Sequence, residues 1–162
     1  MDPFKPQFTA KNISDSMPGL NENLMQNWFV RKVITIQDKS PGRGRKRLYS
    51  FHEALQVEFV HQMTSQGETT KVASPVALQC ADFYCHELLN KQGYSPEEPY
   101  IGQDYVVLYQ VAPKVRCRFI MKNDFNILDI SSIHYRIFDF HYCAWRLYET
   151  IMDVAGQLPW QK

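Results

Sequence analysis

No stretch of this 162-residue chain approaches the roughly 20 continuous apolar residues that a membrane-spanning helix needs. The opening residues, Met1 to Gln7, lack the charged start and apolar run of a secretory signal, so an intracellular, cytoplasmic protein is expected. Cysteine is sparse, and Cys80, Cys85, Cys117 and Cys143 include no Cys-x2-Cys pair. The Cys80-x4-Cys85 spacing puts two thiols on different faces of a helix, so no metal and no cofactor is expected. The four are read as reduced, small apolar residues. Also missing are a glycine-rich phosphate loop, a nucleophile elbow and a His-Glu-x-x-His pair. A catalytic centre would have to be assembled by the fold alone, from residues such as Asp124, Asp129 and His134, and no enzyme is expected.

Charge of one sign is lacking too. Eighteen Lys and Arg against seventeen Asp and Glu leave a net +1, which excludes a strongly basic coat protein for DNA and an acidic solvating tail. The chain is nevertheless rich in hydrophobic (44%) and aromatic (14%) residues, enough side-chain volume for a dense core or a large interface. The near-neutral average hides a split. Residues 1–67 hold nine basic and six acidic residues, a net of +3; the remainder holds nine against eleven, a net of −2. Five of the N-terminal positives fall within Lys39–Arg47. Two domains are expected, 1–67 and 68–162, with candidate joints at Thr64–Thr70 and Gln92–Gly102.

In the basic part, Phe8, Ile13 and Met17 sit near helical spacing behind Thr9, a possible cap, and Pro18-Gly19 stops that short helix. Asn21 caps a second helix, with Glu22 suited to the positive end of its dipole. This helix has an apolar stripe of Leu24, Met25, Trp28, Phe29 and Val33. Its other face carries Asn23, Gln26, Asn27 and Arg31. Helix, tight turn and a second helix with an Asn/Gln/Arg face is the helix-turn-helix pattern. Asn and Gln pair bidentately with adenine edges, and Arg with guanine or phosphate. The plainer reading is a solvated helix beside an ordinary core.

Val33–Gln37 alternates as a short strand should, Asp38–Lys46 is too glycine- and charge-rich to pack, and Arg47-Leu48-Tyr49-Ser50 reads as a returning strand. Strand, basic tip and strand make a β-hairpin wing. Ser50 then caps a third helix, with Glu53 completing a Ser-x-x-Glu capping box and Phe51, Leu55 and Phe59 facing inward. Four basic residues of the tip, Arg43, Arg45, Lys46 and Arg47, suit phosphate contact beside a helix-turn-helix, although a charge run is often only a solvated loop.

This order over residues 8–63 resembles the MerR-type winged helix-turn-helix, in the aromatic Trp28 of the second helix and in the Arg47-Leu48-Tyr49-Ser50 that closes the wing. The usual Gly-Leu at the end of the recognition helix is here Lys32-Val33. The resemblance implies phosphate and base contacts from Gln26 and Asn27, wing contacts from Arg45 and Arg47, and a phosphate contact from Tyr49. Asn21, Asn23, Arg31 and Lys32 complete the expected DNA-binding set with Arg43 and Lys46.

In the second part, Ser74-Pro75 is a natural start for an amphipathic helix carrying Val76, Cys80, Phe83, Leu88 and Leu89. Asp104–Val111, Val115–Met121 and Asn126–Ile130 read as a three-stranded antiparallel meander. Ser132 caps a long helix over 133–155. On it Ile133, Ile137, Phe140, Ala144, Leu147 and Ile151 form a heptad seam, beside a stripe of Phe138, Tyr142, Trp145, Tyr148 and Met152. The seam is either a homodimer surface or part of the monomer's core.

The fold class expected is therefore α+β: an N-terminal winged helix-turn-helix, then a helix, a small meander and a long helix. The function expected is a sequence-specific transcriptional regulator, acting on double-stranded DNA as a homodimer, nucleoid-associated and able to meet the transcription machinery. The rivals are a DNA accessory protein of the excisionase or small-terminase kind, and a protein-interaction adaptor.

Overall fold

The computed structural model describes residues 2–36, 46–90, 105–110, 114–121 and 135–156, the side chains of residues 105, 108 and 135 aside. Among them are five helices and three strands: α1 (Ala10–Asp15), α2 (Glu22–Val30), α3 (Phe51–Ser65), α4 (Thr70–Asn90), β1 (Tyr105–Gln110), β2 (Arg116–Met121), β3 (Tyr135–Phe138) and α5 (Phe140–Val154). The class is α+β. Among the described residues no helix is long and apolar enough to cross a membrane.

Local sequence sets the helix starts. Thr9 and Asn12 form a reciprocal capping box on α1, Asn21 accepts the Leu24 N–H of α2, and Ser50 and Glu53 form a second box on α3. The turn between α1 and α2 needs Gly19, whose φ of +84° is open to glycine at no steric cost.

Helix α3 is the centre of the molecule. Every residue from Phe51 to Val60 is buried, not only the inward stripe. Phe59 meets Phe138 and Phe140 edge-to-face at 5.6 and 6.1 Å, and Phe51 meets Tyr148 at 5.8 Å. A helix buried all round must satisfy its polar side chains internally. His52 Nε2 donates to Asp82 of α4 at 2.7 Å, and the Gln56 amide oxygen accepts the Thr35 N–H at 3.1 Å. Glu58 accepts from Arg146 of α5 and from Gln62.

The boundary expected after residue 67 does not divide two cores. A single cluster of buried side chains runs from Phe8 in the N-terminal part to Met152 in α5, because α3 is covered by α4 and α5. Gly67, at φ +93°, is the tight turn from α3 to α4. Helix α4 begins before the expected Ser74-Pro75, which places Pro75 inside the helix. The Thr69 carbonyl starts it by accepting from Val72 and Ala73 N–H, and the Ser74 hydroxyl donates across to the Val33 carbonyl at 2.5 Å.

The sheet order is β2-β1-β3, with both pairings antiparallel. The strand expected at Asn126–Ile130 lies outside the described residues, as do Asp124, Asp129 and His134. The third strand is β3, and β1 is central instead of first in a meander. This corrects the long helix as well. Residues 135–138 satisfy strand alternation as well as the heptad, and β1 offers an unpaired edge with which Tyr135 to Phe138 align opposite Gln110 to Val107. Alternation then turns Phe138 inward (4% exposed) and Ile137 outward (45%). Helix α5 starts only after Asp139, which caps the Tyr142 N–H.

The seam is corrected in consequence. Ile133 lies outside the described residues and Ile137 belongs to a strand. Phe140, Ala144, Leu147 and Ile151 are at most 1% exposed inside this chain's own core, so they present no surface to a second copy. Of the neighbouring stripe, Tyr148 and Met152 are buried too, while Tyr142 is 56% exposed.

The wing expectation changes for a clear reason. Residues 33–36 form no strand, and 37–45, with Arg43 and Arg45, lie outside the described residues. Tyr49 bridges antiparallel to Phe8 instead, exchanging N–H···O bonds of 2.7 and 2.9 Å. Backbone groups of Val33 and Thr35 are already engaged: Val33 N–H by the end of α2, its carbonyl by Ser74, and Thr35 by Gln56. They have little left to offer a returning strand.

Candidate nucleic-acid interface

Helix α2 is pinned from below. Met25, Trp28 and Phe29 are buried, the Phe29 ring stacks on Tyr49 at 4.9 Å, and Trp28 lies 6.4 Å from His61 of α3. His61 Nε2 also donates to the Pro18 carbonyl at 3.2 Å, tying the α1–α2 turn to α3. With one face so anchored, the 3.6-residue period sends Asn23, Gln26, Asn27, Val30 and Arg31 into solvent, and all five are exposed.

The end of α2 explains the missing glycine. The Lys32 N–H donates to the Phe29 carbonyl at 3.1 Å and the Val33 N–H to the Trp28 carbonyl at 2.8 Å, the two bonds of a Schellman cap. That cap requires a left-handed residue, and Lys32 supplies it at φ +56°, alone among the described non-glycine residues. A lysine there carries backbone strain that glycine would not, and it adds an exposed cation at the helix end.

A cleft of about 420 Å³ opens beside this face, lined by Thr9, Ala10, Lys11, Glu22, Gln26, Lys46, Arg47 and Tyr49. Three of the eight are basic and one is acidic. Lys46 is exposed and Arg47 half-buried. Lys11 pairs with Asp15 at 2.9 Å, and this hydrogen bond raises its ammonium above the ordinary value. Lys46 and Arg47 are the other two cations that line the cleft.

The structure gives the expected residues unequal places. Asn23, Asn27 and Arg31 are exposed on one face, and no side-chain hydrogen bond or ion pair among the described residues engages Asn23 or Asn27. Gln26 is exposed but donates to the Tyr49 hydroxyl at 3.3 Å. Asn21 uses its side-chain oxygen as the α2 cap. Tyr49 is a core residue, 2% exposed, whose hydroxyl end reaches the cleft wall. Thr9 and Lys11 line the cleft although sequence reasoning did not select them; their place depends on how α1 lies against α2, which no local pattern encodes.

The thiols have a different character. Burial raises Cys117 to about 11 and Cys143 to about 12, and pushes Cys80 and Cys85 upward as well, so all four stay protonated and weakly nucleophilic at neutral pH. Among the described residues no three of His, Cys, Asp and Glu are grouped to hold a metal ion. A second cleft, of about 270 Å³, is lined by residues of α3, β3 and α5, among them Gln62, Ile137, Tyr142 and Arg146. No protein-family profile matches the chain, and no curated protein matches it.

Proposed function

We propose that this chain binds double-stranded DNA sequence-specifically as a transcriptional regulator, in the manner of the MerR-type winged helix-turn-helix that residues 8–63 resemble. Asn23, Gln26, Asn27 and Arg31 enter the major groove, where their amide and guanidinium groups match adenine and guanine edges. Lys46 and Arg47, together with Arg43 and Arg45 of the same basic run in the sequence, hold flanking phosphates, and the Tyr49 hydroxyl orients Gln26.

One observation carries this reading. The exposed face of α2 is a row of amides, a valine and an arginine with no acid after Glu22, alongside a cleft lined by three basic residues and one acidic one. A solvated helix face gains nothing from being free of carboxylates over about two and a half turns, whereas a face that approaches phosphates does.

Selection from a random duplex pool, followed by titration over a range of salt, tests it. The expected result is an enriched motif bound with an affinity that falls steeply with salt. Replacing both Lys46 and Arg47 with Ala should lower the slope of log affinity against log salt by about 2, near one per lost phosphate contact. Failure to enrich any motif, with no binding above background at low salt, would refute the proposal. The selected motif also reports stoichiometry: an inverted repeat is the product of two copies, a single half-site of one.

A further inference from the structure

Val30 is the most exposed large hydrophobic side chain among the described residues, at 80%. It closes α2, where a β-branched residue is a weak helix former, and the burial of Met25, Trp28 and Phe29 gives it no share of the core. Its place is on the polar face, three residues after Asn27 and four after Gln26, a helical spacing that sets its Cβ about 5–6 Å from theirs. A lone valine among amides is a poor anchor for a protein partner, since such anchors are large aromatic or arginine side chains set in pockets. It fits a target the size of one methyl group.

We infer that Val30 reads the C5-methyl group of a thymine next to the base pair read by Asn27. The inference rests on the DNA-binding reading above and deepens it: the half-site contains an A·T step, with an adenine edge on Asn27 and a thymine methyl on Val30. The chemistry is complementary. An adenine offers N6 and N7 to an amide, and thymine alone of the four bases carries an apolar group in the major groove. The 3.4 Å rise of B-form DNA per base pair places neighbouring pairs within reach of two side chains one helical turn apart.

The experiment uses the full chain and the selected duplex, with each thymine replaced in turn by deoxyuridine, which removes only the methyl group. One thymine per half-site should prove sensitive, its replacement weakening binding about fourfold, the worth of one buried methyl group. Val30→Ala should bind the thymine and deoxyuridine duplexes equally, and Val30→Thr, which keeps a methyl group, should retain discrimination. Because Val30 is exposed, both variants should melt with the native chain, and a thermal scan verifies it. If DNA is selected but no thymine is sensitive, or if Val30→Ala still discriminates as the native chain does, the inference falls and the DNA-binding reading stands. If no DNA is selected, both fall together.

Discussion

Helices α2 and α3 are neighbours, both are rich in polar residues, and they treat those residues in opposite ways. On α3, His52, Glu53, Gln56 and Glu58 are each about 1% exposed, and each is bonded to a residue of the same chain. On α2, Asn23, Asn27 and Arg31 face solvent. The first set is committed to the fold: a buried polar group without a partner costs about 1–3 kcal/mol. The second contributes little to the fold and keeps its hydrogen-bonding capacity for something outside. Polar residues on a helix are therefore informative only once burial is known, and the α2 face is the part of this molecule with capacity to spare.

The sharpest way to break the comparison is to attack α3. Arg146→Met removes the guanidinium from Glu58 and leaves a carboxylate, itself 1% exposed, without a charge partner. The expected loss is about 3 kcal/mol, read by denaturant unfolding. A loss under about 1 kcal/mol would show that α3's polar side chains are not committed to the fold in the way argued. Glu53→Ala should come next, at about 1–2 kcal/mol, because it removes the acceptor for the Ser50 N–H and hydroxyl at the start of α3.

These two predictions separate what was legible in the sequence from what was not. The capping box was legible, as were Thr9 and Asn21, because a cap is decided within four residues. The burial of α3 on all sides was not, since nothing local marks Gln56 and Glu58 as buried until α4 and α5 are placed on them. The start of α5 was misread because Ile137 and Phe138 satisfy two periodicities, and only the open edge of β1 decides between them. Tyr49 pairs with Phe8, forty-one residues away, and not with the nearer Val33 or Thr35, whose backbone groups are held by Ser74 and Gln56. The exposed face of α2 was legible almost in full, because one face of an amphipathic helix specifies the other. Val30 belongs to neither of the two faces that the sequence pattern picks out.

On α2 the expected stability effects are smaller. Lys32→Gly should stabilise the chain by about 0.5–1 kcal/mol, since glycine takes a φ of +56° without strain and gives back part of that gain through the entropy of the unfolded chain. A destabilised variant would mean that the lysine side chain is committed to the fold.

A smaller contrast appears in alkaline solution. Cys143 has its pKa raised from 9.0 to about 12 by burial first and by Glu58 second, so its neutral thiol belongs to the folded state. The stability it contributes is fully present below pH 9, where the unfolded chain is also protonated, and is lost as pH rises towards 12. Cys143→Ala should flatten that alkaline decline in melting temperature, while exposed Asn27→Ala should leave it unchanged.

The most direct test of the central claim replaces Asn23 and Asn27 together by Ala and measures two quantities on the same preparation. If α2's face is kept for DNA, unfolding free energy should stay within about 0.5 kcal/mol of the native chain. Affinity for the selected duplex should fall at least tenfold, towards that for random duplex, because each good base contact is worth about 1–3 kcal/mol. Unchanged discrimination between the two duplexes, with the fold intact, would contradict the account.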